Sequence, residues 1–120
     1  MGVEDYVRLN GKYLKEAEEL LAEGDYVQAS EKLWGAAAEM VKAVAAARGI
    51  MLGTHRSLWE FVHKLDEERP GMNLIEGFRA AESLHVNFYE DHLPEKVVEL
   101  TVEQVKEFIE KMKKLLQQTT

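Results

Sequence analysis

Apolar residues recur along most of this chain at intervals of three and four, and almost nowhere at intervals of two. That period is the signature of amphipathic helices, so the chain reads as all-α. The first predicted helix runs from about Val3 to Glu23, with Val3, Val7, Leu14, Ala17 and Leu21 on one stripe flanked by Tyr6, Tyr13 and Leu20. Gly24 stops it and Asp25 caps the next. The second helix, Asp25 to Arg48, is the most apolar, with Leu33, Ala37, Met40, Val44 and Arg48 on a face broadened by Trp34, Val41 and Ala45. Gly49 ends it. Thr54 caps a third helix reaching Arg69, with Leu58, Val62 and Leu65 inward and Trp59 and Phe61 widening the stripe. Pro70 and Gly71 break the chain, and a fourth helix spans about Asn73 to Tyr89. Beyond Pro94, Thr101 with Gln104 three residues on reads as a capping box, opening a fifth helix through Val102, Val105, Ile109, Met112 and Leu116.

Short connections after the first three helices favour antiparallel neighbours, giving an antiparallel up-and-down bundle of about five helices in a single domain over residues 1–120. Eight alanines and Gly35 surround much of the second helix, and such small side chains permit close approach on several sides. It is therefore placed centrally.

Composition narrows the function classes. Fifteen Lys and Arg against 22 Asp and Glu leave a net charge of −7, which repels phosphate backbones at long range and argues against general nucleic-acid coating. With no cysteine there is neither a disulfide framework nor a thiolate zinc site, which points to the cytoplasm. Neither a membrane span nor a secretion signal is visible, so no membrane partner is expected. Eighteen Glu and ten Lys against four Gln and three Asn is a bias seen in proteins from hot environments.

Histidines are the natural candidates for chemistry. At 100° per residue, Leu74, Phe78, Ala81, His85, Phe88 and His92 share the direction of the core, so His85 reads as a hydrogen-bonded core histidine and His92 as a helix-end or loop residue, or the two as a polar site at the end of the bundle or at a dimer seam. Seven residues put His85 and His92 roughly 10 Å apart along a helix, too far for easy shared ligation. No metal site is assigned, although His55, Glu82 and His85 could meet in space as a polar binding cluster. No nucleophile elbow, Walker loop or dinucleotide glycine motif occurs, and no cofactor is implied. Trp34 and Trp59 read as core, and Lys106, Lys111, Lys113 and Lys114 as a solvated face. Glu31, Lys32, Glu39 and Lys42 form a polar side to the second helix, suited to solvent or to a partner's polar rim. Gly24-Asp25-Tyr26 faintly resembles a tetratricopeptide helix pair, which would make the chain a protein-interaction adaptor.

The segments Ala29 to Ala38, ASEKLWGAAA, and Leu84 to Glu90, LHVNFYE, resemble the archaeal PaREP family, itself similar to the HEPN superfamily of small helical bundles. The resemblance implies a bundle of four to five helices, homodimerisation, and a place among proteins linked to RNA cleavage, toxin–antitoxin pairs or nucleotidyltransferase partners. HEPN ribonucleases carry an Arg followed a few residues later by a His, just before the last helix. In the matching place this chain reads Asn87, Phe88, Tyr89, Glu90, Asp91, His92. Asparagine lacks the charge and forked donors of guanidinium, and Glu90 and Asp91 repel phosphate. Arg56 and His63 reproduce the spacing but fall on the outer face of the third helix, beside Glu60 and Glu67. The resemblance thus favours a homodimeric binding or interaction module with little or no catalysis. The alternative is a metal-independent ribonuclease using His92 and His85, with Asn87 and Tyr89 beside them, and His55, Glu82 and Glu90 as accompanying binding residues.

Overall fold

The computed structural model describes residues 1–119. Five helices follow in order: α1 (Val3–Ala22), α2 (Tyr26–Ala47), α3 (His55–Glu68), α4 (Leu74–Glu90) and α5 (Glu95–Thr119), with a 3-10 turn at Pro70–Met72 between α3 and α4. No strand occurs among the described residues. The Cα radius of gyration is 13.6 Å, close to the roughly 14 Å of one compact domain of this length.

The punctuation follows the expected residues. Gly24 adopts φ +81° and Gly49 φ +75°, left-handed turns that glycine enters without steric cost. The Asp25 carboxylate accepts from the Gln28 N–H at 3.1 Å to open α2. At α3, Thr54 and Ser57 cap reciprocally: the Ser57 N–H donates to Thr54 Oγ1 at 3.0 Å and the Thr54 N–H to Ser57 Oγ at 2.9 Å.

The last helix departs from the expectation. It starts at Glu95, immediately after Pro94, and Thr101 lies inside it. The Thr101 hydroxyl donates back to the Val97 carbonyl at 2.8 Å, the way a mid-helix threonine satisfies itself. Val98, Thr101, Val102 and Val105 then form one continuous buried row, so burial extends the helix two turns ahead of the apparent capping box.

α2 is the central element, packed against α1, α3, α4 and α5. Ala29, Leu33, Ala36, Ala37, Met40, Val41, Ala43, Val44 and Ala45 are fully buried along it. Buried polar groups pin its neighbours: Asn10 on α1 donates to the Ala36 carbonyl at 2.8 Å, and Asn87 on α4 donates to Ser30 Oγ at 3.1 Å. At the C-terminal end of α2, Arg48 holds both carboxylate oxygens of Glu68 at 3.0 and 2.9 Å. These hydrogen bonds keep the Glu68 carboxyl below its ordinary range. The small stability this exposed pair adds is fully present above the ordinary glutamate pKa and is lost as pH falls through the lowered value. No helix among the described residues is long and apolar enough to cross a membrane.

Candidate functional site

The main concavity is a cleft of about 390 Å³ that follows the exposed side of α2 between α1 on one flank and α3 and α4 on the other. Its α2 lining includes Gln28, Glu31, Gly35, Ala38 and Lys42, a three-four alternation that keeps one helical face toward the opening. Tyr13 closes one side, and His55, Leu58 and Phe88 the other. Gly35 lets Tyr13 lie close on α2: a Cβ there would stand 3.1 Å from the Tyr13 ring.

At one end of the cleft an aromatic and imidazole cluster converges from three helices. His85 stacks on Trp34 with ring centroids 4.9 Å apart, and His55 meets both rings edge-on at 5.1 Å. Behind Trp34, Phe78 continues the stack into the core at 5.4 Å. His85 Nδ1 lies 2.7 Å from Glu31 Oε1. Because a carboxylate only accepts, Nδ1 carries the proton, and Nε2 is left as the second ring nitrogen. The His85 side chain is 20% exposed. It is therefore a half-buried, oriented imidazole at the cleft edge.

Charges along the cleft are largely paired. Lys32 contacts Glu16 at 3.0 Å and sits 5.2 Å from the Tyr13 ring centre, while Lys42 reaches Glu39 Oε1 at 3.4 Å. Glu39 Oε2 is buried and receives no hydrogen bond.

The structure unites some of the expected site residues and separates others. His55 and His85 come together, and Tyr89 touches His85 edge-on at 5.3 Å while remaining 71% exposed. Glu82 instead accepts from Trp59 Nε1 at 3.0 Å. Among the described residues no group of three His, Asp or Glu side chains is arranged to hold a metal ion. Asn87 is 1% exposed, and its Oδ1 accepts from the backbone N–H groups of His92 (3.0 Å) and Leu93 (2.8 Å). It clamps the turn after α4 and does not line the cleft. His92 lies in the connection after α4, as a helix-end or loop residue, and not on the core-facing stripe of the helix: α4 ends at Glu90, Asp91 turns left-handed at φ +45°, and His92 is at the surface with Glu90. Arg56 and His63 form only exposed i, i+4 pairs with Glu60 and Glu67. Of the C-terminal lysines, Lys106 pairs with Glu18, and Lys111 donates to the Met72 carbonyl at 2.7 Å. Both tie α5 to the rest of the bundle.

Sequence reasoning noticed Glu31, Lys32, Glu39 and Lys42 as a polar side of α2 but did not join them to His55 and His85. The available signal was that these charges interrupt an otherwise apolar helix.

The profile of the archaeal PaREP1/PaREP8 family matches residues 5–109. The chain belongs to that family. The match takes in all of α2, α3 and α4, and with them the cleft of this PaREP1/PaREP8 protein. A crystal structure of a protein from Sulfolobus solfataricus is similar at 27% sequence identity and a TM-score of 0.80, covering 90% of this chain and 96% of that one. No curated protein matches the chain.

Proposed function

We propose that this PaREP1/PaREP8 protein is a HEPN-like homodimeric binding module with little or no catalysis, acting through the cleft along α2. The observation that carries the reading is the fate of Asn87. The position where a HEPN nuclease needs a phosphate-gripping arginine holds a buried amide that braces a turn, with Oδ1 taken by two backbone N–H groups. His92 stands exposed beside it, next to Glu90 and Asp91. No arginine stands at that position to grip a phosphate. The cleft, by contrast, has aromatic walls, with an oriented imidazole beside it. These are features of a binding pocket. A role beside a nucleotidyltransferase-type protein, or in a toxin–antitoxin pair, fits a module of this kind.

Dimerisation draws support from exposed apolar side chains on either side of the 91–94 turn. Val86 and Tyr89 on α4 and Val97 and Leu100 on α5 are all exposed, Leu100 at 59%. Exposed apolar side chains of this kind support an association surface there. Sedimentation at micromolar concentration is expected to give a dimer, and Leu100→Asp to shift it at least tenfold toward monomer. A monomeric wild-type protein would remove the dimer from the proposal.

The ribonuclease alternative has one observation of its own, the 2.7 Å His85–Glu31 contact, which orients an imidazole as in general acid–base catalysis. Incubation with structured RNA separates the two readings. Intact RNA is expected; cleavage that disappears in His85→Ala and His92→Ala would establish the nuclease.

A further inference from the structure

Three asparagines occur in the chain, Asn10, Asn73 and Asn87, and Asn10 alone is followed by glycine. Asn73 and Asn87 precede Leu74 and Phe88, whose side chains crowd the next backbone nitrogen. Gly11 leaves the nitrogen beside Asn10 bare. A side-chain amide is a carbonyl electrophile with ammonia as its leaving group, and glycine is the neighbour that least restricts the backbone from attacking it. Asparagine is thermolabile, and this chain otherwise carries it sparingly.

The fold holds the pair in an unreactive geometry. Asn10 lies inside α1, is 2% exposed, and donates its amide to the Ala36 carbonyl of α2 at 2.8 Å. A helical ψ of about −42° keeps the Asn10 amide carbon away from the Gly11 nitrogen, whose N–H is engaged in the helix ladder. Gly11 answers no packing need: a Cβ there would meet nothing within 4 Å, unlike one at Gly35 beneath Tyr13. A glycine in a helix interior weakens the helix locally. α1 packs almost wholly on α2, with the Lys106–Glu18 ion pair as a tie to α5. The most cyclisable asparagine of the chain therefore stands beside a weak helical residue on a flanking helix.

We propose, independently of the binding-module reading, that Asn10–Gly11 is a self-modification site gated by the lifting of α1 from α2. With α1 lifted, the Gly11 backbone nitrogen attacks Asn10 Cγ. The N–Cγ bond forms, the Cγ–Nδ2 bond breaks, and the amide leaves as ammonia carrying the proton of the Gly11 nitrogen, which closes a succinimide ring. Water, the only co-reactant, then opens the ring. Cleavage of the new N–Cγ bond gives aspartate, and cleavage of the original peptide bond gives isoaspartate. Either product opposes reseating of the helix. Aspartate must bury a charge against the Ala36 carbonyl or take up a proton at a cost. Isoaspartate routes the backbone through its β-carbon, and the added methylene breaks helix register. Tyr13, three residues on, then loses its seat on Gly35, and the cleft loses a wall.

Peptide mapping by mass spectrometry, on intact protein held at mildly alkaline pH below its unfolding temperature, tests the site. Conversion of amide to acid is expected at Asn10, with isoaspartate as the major product. In urea Asn10 should convert at least tenfold faster than Asn73 and Asn87, and at least tenfold faster than it does in the folded protein. Tyr13→Ala, which loosens α1, should speed conversion in the folded protein at least threefold. Gly11→Ala should slow it at least tenfold, and Thr54→Ala, which weakens the α3 cap, should leave it unchanged. Ion exchange separates the modified fraction by its added negative charge. Trypsin should then cleave it after the exposed Lys12 and Lys15 of α1 at least tenfold faster than it cleaves the unmodified fraction. Asn10→Asp reproduces the aspartate product, and if that variant does not fold, the ion-exchange fraction decides. Conversion in urea at Asn73 or Asn87 ahead of Asn10 would overturn the site. Folded-state conversion that is undetectable, as fast as in urea, or indifferent to Tyr13→Ala would overturn the gate, and equal trypsin cleavage of the two fractions would overturn the release of α1.

Discussion

Asn87→Ala is expected to destabilise the protein by about 3 kcal/mol in urea or thermal unfolding, more than a typical single substitution. Three hydrogen bonds end on this one buried amide: two backbone N–H groups of the 91–94 turn and the Ser30 hydroxyl of α2. Alanine removes all the partners at once, and each polar group left without one costs about 1–3 kcal/mol where water cannot replace it. Asn87→Asp is the informative companion. It retains the acceptor for the His92 and Leu93 N–H groups but loses the donor to Ser30 and buries a charge, so its deficit should shrink as pH falls and the carboxyl takes a proton. If Asn87→Ala unfolded at the wild-type midpoint, the clamp would be incidental and Asn87 would be available for another role.

Gly77→Ala is the second large effect, and its sign opposes helix propensity. In the middle of an exposed helix the change would stabilise by about 1 kcal/mol. Here a Cβ would stand 2.7 Å from Phe108 Cδ1 and 2.8 Å from Phe108 Cβ. Phe108 is 1% exposed, and its Cβ is fixed by the α5 backbone, so α4 and α5 must separate to admit the methyl group. Overpacking of this kind costs about 1–3 kcal/mol. The expected net result is a loss on the order of 2 kcal/mol, partly recovered in the double variant with Phe108→Leu. A rise in the unfolding midpoint for Gly77→Ala would show that the α4–α5 approach is looser than these contacts imply.

These two positions also mark the limit of what the chain discloses by itself. Helix existence was legible because stripes at Leu33, Ala37, Met40 and Val44, or at Leu58, Val62 and Leu65, have a helical period independent of their surroundings. Helix ends were legible where the signal is local, as with the positive φ of Gly24 and Gly49 or the reciprocal bonds of Thr54 and Ser57. Thr101 shows the ambiguity that remains: a threonine followed three residues later by glutamine reads the same at a helix start and inside a helix. Only burial of Val98 and Thr101 separates the two. The structural roles of Asn10 and Asn87 were hidden because the acceptors of their amide N–H groups lie 26 and 57 residues away. The cleft was half visible. Charges at Glu31, Lys32, Glu39 and Lys42 mark the open face of α2, but the meeting of Trp34, His55 and His85 depends on how α3 and α4 cross it.

The placement of α1 governs how the molecule breathes. It rests along α2, fixed by the Asn10–Ala36 bond and the Tyr13 ring on Gly35, and it meets α5 through Lys106 and Glu18. Only Asn10 and Ala17 are buried on it, whereas α2 buries twelve residues. Such a helix is expected to be a low-stability cooperative unit, its amides exchanging with solvent before those of α2 in a hydrogen-exchange measurement. Tyr13 is also a wall of the cleft. Opening of α1 therefore dismantles the cleft without unfolding the core, and any occupant that leans on Tyr13 slows amide exchange along the whole of α1.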